Sequence, residues 1–138
     1  MTDPGARDAA RQHLAGQDGE VVYSLPADVH APALARRYLR QHAAVLPRTV
    51  LNDAEIVVSE IVTNAVLHGK PEITLRLRLK PPGIGVAVHD QGDAALPTPG
   101  TPEDTDPHGR GLFIATALAS AWGIEHSGEH GKTVWFDL

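Results

Sequence analysis

Apolar and polar residues alternate along three short segments of the chain, and this period of two is typical of strands with one buried face, while two further segments close the chain as a hairpin. The predicted strands span residues 20–25, 72–80, 84–89, 123–127 and 132–138. Pro26 closes the first strand, which favours a position at the edge of the sheet because proline cannot donate a hydrogen bond. A turn at residues 81–83 joins the second and third strands as an antiparallel hairpin, and the last two strands form another.

Two segments before the second strand repeat apolar residues at helical spacing instead. The first predicted helix begins after Asp28, a good capping residue, and is stopped by Pro47. The second begins at Thr49 or Asn52 and runs to Gly69. The outer face of the first helix is basic, and it is either simply solvated or a docking surface for an acidic protein partner. Its cations are Arg36, Arg37 and Arg40.

From Gln91 to His108 the apolar residues follow neither helical nor strand periodicity, and the repeated glycine and proline exclude both a helix and an internal strand. A loop of this length in a small domain is expected to be either disordered or functional, and we expect a lid over residues 93–108. The third helix is predicted over residues 109–122, and residues 1–19 are expected to form a flexible tail.

The order of these elements predicts an α+β fold. We expect one domain over residues 20–138, built as a two-layer sandwich of a mixed, mostly antiparallel sheet with helices on one face. A chain of 138 residues is long enough for one such core.

Composition narrows the class of protein. The net charge of -5 argues against a broad nucleic-acid surface, which needs clustered lysine and arginine. The absence of cysteine excludes disulfides, a thiolate nucleophile and cysteine-ligated zinc. No apolar run approaches the roughly 18 residues of a membrane span, and the first residues lack the apolar segment of a signal peptide. We therefore expect a soluble, cytoplasmic protein.

The second helix carries polar side chains along the edge of its predicted buried stripe. Glu60, Asn64 and His68 follow one another at one-turn spacing. A carboxylate and a carboxamide placed in this way are either simply solvated or suited to act as general base and metal-orienting oxygen beside a pocket. The stripe itself consists of Ala54, Val57, Val58, Ile61 and Ala65.

Two glycine-containing segments follow. Asp90 lies at the end of a strand, where its carboxylate can accept a hydrogen bond from an exocyclic amine, and Gly92 allows a flat ring close to the backbone. Gly109 and Gly111 open a helix whose unpaired N–H groups can bind an anion. Each segment alone could be an ordinary turn or helix start, but together with the second helix they describe a site for a purine nucleoside triphosphate.

Three motifs carry a family resemblance. Residues 60–69, 90–92 and 108–112 resemble the N, G1 and G2 boxes of the GHKL ATPases, in the order used by that superfamily. More narrowly, residues 20–138 resemble the small anti-sigma-factor serine/threonine kinases. The resemblance implies a histidine-kinase-like ATPase fold, ATP or ADP with Mg²⁺ as ligands, and a sigma factor or an anti-sigma-factor antagonist as protein partner. It also suggests a homodimer.

The resemblance assigns roles to the motif residues. Glu60 orients or deprotonates the attacking hydroxyl of a partner serine or threonine, and Asn64 holds Mg²⁺ against the phosphates. Asp90 binds the adenine amino group and Gly92 makes room for the ring. Thr133 is expected to reach Asp90 or adenine through water.

The phosphates are assigned to the last motif. Gly109, Gly111 and the N–H of Leu112 are expected to cradle them, while Arg110 adds charge or orients the lid. His68 also resembles a residue found at the corresponding position of the family. The sequence departs from the family where residues 93–95 replace a second glycine, which implies altered adenine packing.

Two other classes of protein remain open. One is a non-catalytic module that sequesters a sigma factor or another regulator and responds to nucleotide. The other is a histidine-based metallohydrolase that uses His126 and His130, whose spacing falls in a hairpin without a carboxylate cluster.

Overall fold

The computed structural model of the chain describes residues 19–92, 107–127 and 130–138, and for residues 107–111 it describes the backbone alone. The predicted tail (residues 1–19) and lid (residues 93–108) lie almost entirely outside these ranges. The strands are β1 (Glu20–Leu25), β2 (Ile73–Lys80), β3 (Gly83–Asp90), β4 (Ala121–His126) and β5 (Lys132–Asp137). The helices are α1 (Ala31–His42), α2 (Arg48–His68) and α3 (Pro107–Leu118).

The five strands form one sheet in the order β1-β2-β3-β5-β4, and every neighbouring pair is antiparallel. The predicted α+β fold is therefore confirmed, as is the position of β1 at an edge. α1 packs against β1, β2 and α2, while α2 packs against β2, β3 and α3. The helices cover one face of the sheet, and the core lies between the two layers.

Alternation along the strands assigns each side chain to one of two faces. The helix-facing side of β3 carries Ile84, Val86, Val88 and finally Asp90. The helix-facing side of β5 carries Lys132, Val134 and Phe136. Asp90 and Lys132 are paired residues in the register of these two strands, so two opposite charges end the two apolar rows side by side.

The first helix is shorter than its apolar spacing predicts. It ends at His42, well before Pro47, and Ala43 leaves the helical conformation with φ of -113° and ψ of 21°. Leu46 is buried in the core after this turn, whereas Val45 is 75% exposed. The prediction of a helix up to Pro47 is therefore wrong, because the turn buries Leu46 instead of Val45.

The third helix is displaced by a few residues from its predicted range. It begins at Pro107 and ends at Leu118, and the chain enters β4 at Ala121. Trp122 pairs with Phe136 across the two last strands, and their rings stack with centroids 6.0 Å apart. The prediction of Trp122 as the end of a helix is wrong because this cross-strand contact with Phe136 places it in the sheet.

Candidate functional site

The carboxylate of Asp90 fastens the end of β3 to the end of α2. It is 2% exposed, and its Oδ1 accepts the N–H of Gly92 at 2.7 Å and of Lys70 at 3.3 Å. In return, Gln91 donates its N–H to the carbonyl oxygen of Lys70 at 2.9 Å. The predicted N and G1 segments are therefore in direct contact.

Three glycines allow the chain to close around Asp90. A Cβ on Gly69 would lie 2.6 Å from each carboxylate oxygen, and one on Gly92 would lie 3.0 Å from Oδ1. Gly131 has a φ of +92°, and a Cβ there would overlap the carbonyl oxygen of Asp90. Glycine is needed at these positions because a side chain would displace the carboxylate or the backbone that holds it.

Lys132 is the residue of this site that the sequence analysis missed. Its Nζ lies 3.0 Å from Oδ2 and 3.2 Å from Oδ1 of Asp90, and its side chain is 1% exposed. The signal was present in the pattern, since a lysine in the inward phase of an apolar strand requires an acidic partner. Asp90 occupies the same phase of β3.

Thr133 does not lie where the resemblance predicts. It points to the opposite face of the sheet, where its Oγ1 is 2.9 Å from Nδ1 of His89. The structure brings Lys132, one residue earlier, to the carboxylate of Asp90. The assignment of Thr133 to Asp90 is therefore not supported. Side chains alternate between the two faces along β5, so Thr133 points away from the face that carries Asp90.

Asn64 is a buried amide without a partner. Its side chain lies on α2 and is 1% exposed, and within the described part of the chain neither Oδ1 nor Nδ2 has a hydrogen-bond partner. Such groups are rare because leaving them unpaired costs free energy, and each calls for an explanation such as a missing ion or ligand. Asn64 lies five residues before Gly69, or roughly 7.5 Å along the helix axis.

The other two polar residues of α2 are more accessible than Asn64. Glu60 is half-buried one turn before Asn64, and His68 is exposed one turn after it. The expectation that all three lie at the edge of the buried stripe is therefore correct for Glu60 and wrong for Asn64. The five apolar residues of the predicted stripe are all buried.

The last motif lies at the start of α3, but its residues are not equivalent. Because the helix begins at Pro107, Gly109 belongs to the first turn, whose N–H groups have no partner within a helix. Gly111 and Leu112 come later, where N–H groups normally pair within the helix, and Leu112 is buried in the core. The side chain of Arg110 lies outside the described residues.

A groove of about 450 Å³ runs between α1 and α2 beside Glu60. Arg36 crosses it and donates from Nη1 to Oγ of Ser59 at 2.9 Å, while Ile56 is 43% exposed in the same groove. Arg40 forms an ion pair of 2.9 Å with Glu55. Two of the three cations of α1 therefore hold the two helices together.

The described residues offer little to a protein-ligated metal centre. Within residues 19–92, 107–127 and 130–138, no group of three or more histidine and carboxylate side chains could hold a metal ion. His126 and His130 are both exposed. The metallohydrolase hypothesis therefore has no support in this part of the chain. None of the three helices is long and apolar enough to cross a membrane, as far as the described residues go.

The fold and its buried polar groups define a two-layer α+β domain of the class expected for a nucleotide-binding ATPase. The chain belongs to the family of histidine kinase-like ATPase domains, whose family model matches residues 25–138. This membership confirms the superfamily indicated by the three motifs.

Solved structures include a similar domain. The histidine kinase domain from the Erythrobacter litoralis EL346 blue-light activated histidine kinase matches with a TM-score of 0.49 and 17% sequence identity. The match covers 78% of this chain and 62% of that chain, so this chain spans less than two thirds of the matched domain. A comparison with curated proteins found no match.

Proposed function

We propose that the protein is an Mg-ATP-dependent serine/threonine kinase that acts as an anti-sigma regulatory factor on an anti-sigma-factor antagonist. The single observation that carries the nucleotide site is the buried, unpaired amide of Asn64 near the carboxylate of Asp90. An amide oxygen is a suitable ligand for Mg²⁺, which prefers oxygen donors and few protein contacts. The three glycines around Asp90 supply the close packing that a base-binding corner requires.

Asp90 can still accept one base amine. Its Oδ1 already receives N–H groups from Gly92, Lys70 and Lys132, whereas the contact recorded for Oδ2 within the described residues is to Lys132. A carboxylate has about four lone-pair positions, so Oδ2 retains room for an exocyclic amine. Asn64 is the residue that would hold Mg²⁺ against the phosphates.

Glu60 would act on the protein substrate. It lines the groove between α1 and α2, which also carries the exposed Ile56 and the guanidinium of Arg36. When bound, Mg-ATP would supply the phosphoryl group. Glu60 would accept the proton of the serine or threonine hydroxyl, while the hydroxyl oxygen bonds to the terminal phosphorus and the bond to ADP breaks. Arg37, exposed on α1, adds positive charge near this surface.

A non-catalytic binding module is the second candidate. The buried ion pair between Lys132 and Asp90 favours it, because part of the carboxylate is satisfied without nucleotide. Such a module would sequester a sigma factor or other regulator through the groove of α1 and α2. Phosphate transfer to a partner separates the two candidates.

The test is calorimetric titration of the protein with ATP and ADP, with and without Mg²⁺. We expect Mg²⁺-dependent binding that Asp90→Asn weakens about tenfold to a hundredfold, since a hydrogen bond to a charged group contributes about 1.5–3 kcal/mol. Asp137→Asn is the matched control, because it breaks the exposed ion pair with Lys80 at 3.0 Å on the other face. A triphosphate of unsubstituted purine riboside, which lacks the amine, should lose similar affinity for the wild-type protein.

Phosphate transfer is measured on the same preparations with candidate antagonist proteins. Glu60→Ala should still bind Mg-ATP and lose transfer, whereas a kinase-independent module would transfer nothing in either form. Absence of any binding at millimolar nucleotide would overturn the proposal as a whole.

A further inference from the structure

Lys132 is a deeply buried lysine whose burial carries a cost in free energy. The side chain is 1% exposed, and within the described part of the chain its Nζ donates to Oδ1 of Asp90 at 3.2 Å and forms an ion pair with Oδ2 at 3.0 Å. Removing two charges from water costs several kcal/mol per ion, and apolar replacements of buried ion pairs are often neutral or stabilising. Val134 and Phe136 follow in the same phase of β5, so an apolar residue would continue the row.

The ammonium group of Lys132 can form a further hydrogen bond. It has three N–H donors, and two contacts with one carboxylate leave at least one donor for another acceptor. Asp90 likewise retains an acceptor position on Oδ2. One donor and one acceptor therefore stand next to each other, held by the register that pairs Asp90 with Lys132.

The edge of adenine presents the complementary pair. Its exocyclic amine is a donor, and the adjacent ring nitrogen N1 is an acceptor. We propose that Lys132 is a specificity-determining residue that donates to N1 of adenine while Oδ2 of Asp90 accepts the amine. This inference rests on the proposed nucleotide site and extends it to the identity of the base.

The arrangement also rejects guanine and hypoxanthine placed in the same way. Their O6 is an acceptor where adenine carries the amine, and their N1 carries a hydrogen where adenine has a lone pair. Asp90 would then face an acceptor and Lys132 a donor. A site with unpaired buried polar groups discriminates strongly, because neither group can turn to water.

The experiment compares ATP with 1-deaza-ATP, in which C–H replaces N1 and the amine is kept. Calorimetric affinities are measured for the wild-type protein, Lys132→Met and Lys132→Gln. We expect the wild-type protein to bind 1-deaza-ATP about tenfold more weakly or worse, and Lys132→Met to bind both nucleotides alike. Lys132→Gln keeps a neutral N–H donor and should retain part of the difference.

Lys80→Met is the matched control, because Lys80 forms an exposed ion pair with Asp137 on the other face of the sheet. It should show the wild-type ratio of affinities. Equal ratios for the wild-type protein and Lys132→Met would overturn the assignment of Lys132 and leave the nucleotide site standing. No binding of ATP by the wild-type protein would overturn both.

Lys132→Met leaves Asp90 buried without its counter-ion, so a second measurement uses the wild-type protein alone. ATP labelled with ¹⁵N at N1 is added, and the N1 resonance is compared with that of free Mg-ATP. Donation from Lys132 should shift this resonance upfield. An unchanged resonance on saturated protein would refute the hydrogen bond even if the variant does not fold.

Discussion

At the scale of single residues, Asn64 carries a cost in folding stability that its proposed role in binding Mg²⁺ would explain. Its amide is buried among apolar neighbours on α2, and the described residues provide neither of its polar atoms with a partner. An unpaired buried polar group costs about 1–3 kcal/mol relative to its hydrated state. Without a ligand, the wild-type protein is therefore expected to be less stable than a variant with an apolar residue at position 64.

Replacing Asn64 with leucine separates these two contributions. We expect Asn64→Leu to raise the free energy of unfolding by about 1–2 kcal/mol, because it removes the unpaired amide at similar volume. The same variant should lose the Mg²⁺ dependence of nucleotide binding. Urea unfolding and calorimetry measure the two effects.

Asn52 supplies the matched control, since it is an exposed asparagine on the same helix. Asn52→Leu should give no gain in stability and leave the Mg²⁺ dependence intact. If Asn64→Leu were strongly destabilised, the amide would have a partner in the folded protein and its role as a metal ligand would be wrong.

At the scale of single residues, the sequence predicted best those residues whose role follows from their own position along the chain. Asp90 was predicted because a carboxylate at the end of a strand can accept a hydrogen bond from an exocyclic amine, and the structure places it in contact with the chain just after α2. Lys132 was missed because its role depends on strand register, which pairs it with Asp90 and turns Thr133 to the other face. A shift of one residue along a strand reverses every such assignment.

Among the elements, the junction between α2 and β3 carries the site. Gly69 ends the helix with φ of -95° and ψ of -165°, which lies outside the left-handed region. The sequence analysis explained Gly69 as a helix stop. The structure gives a different reason, because the residue packs directly on the carboxylate of Asp90.

Gly69→Ala tests this explanation. The backbone can accept alanine, so the expected loss comes from the contact with Asp90 alone. We expect the variant to lose about 1–3 kcal/mol of stability, as in other overpacked sites, and to bind ATP more weakly. Thermal unfolding and calorimetry measure both changes.

Gly85→Ala is the corresponding control in β3. Its Cβ would lie 3.1 Å from Oδ1 of Asp137, a partly exposed side chain that can move. This variant should retain ATP affinity and nearly all of its stability. A tolerated Gly69→Ala with wild-type affinity would show that the junction is looser than the structure indicates.

Element boundaries were predicted less well than element types. All eight predicted elements exist, but α1 ends at His42, well before Pro47, and α3 starts early, at Pro107. A proline marks a point beyond which a helix cannot continue, but the helix can end earlier. In α1 the chain leaves the helix before Pro47 because this buries Leu46 in the core.

At the scale of the whole molecule, an aromatic contact joins the edge of the sheet to the helical layer. Tyr23 of β1 and Tyr38 of α1 stack with ring centroids 3.9 Å apart and planes inclined by 8°. Burial raises the pKa of the Tyr23 phenol above its usual 10.0, and the charge of Tyr38 raises it further. The contact therefore links the stability of the fold to pH.

The sign of this dependence follows from proton binding. A raised pKa means that the folded protein holds the phenolic proton more tightly than the unfolded chain, so stability is intact below pH 10.0 and falls as pH rises through the folded pKa. We expect Tyr23→Phe to flatten the alkaline part of the stability profile measured by urea unfolding. Tyr38→Phe should leave most of the slope, because burial is the larger cause. An equally steep profile in Tyr23→Phe would assign the slope to other groups.

The overall architecture was the part best predicted from the sequence. Alternating strands and the order of elements indicate one sheet with helices on one face, and the structure confirms it. The pairing of β3 with β5 was beyond prediction, since it joins segments more than 40 residues apart with no local signal.

This distant pairing has a consequence for synthesis on the ribosome. Asp90 and Lys132 are separated by 42 residues, which takes roughly 2–8 s at about 5–20 residues per second. During this interval the carboxylate of Asp90 lacks its counter-ion Lys132. Under the proposed function, nucleotide stabilises the chain only after β5 has emerged and docked, so binding distinguishes a finished sheet from a nascent one.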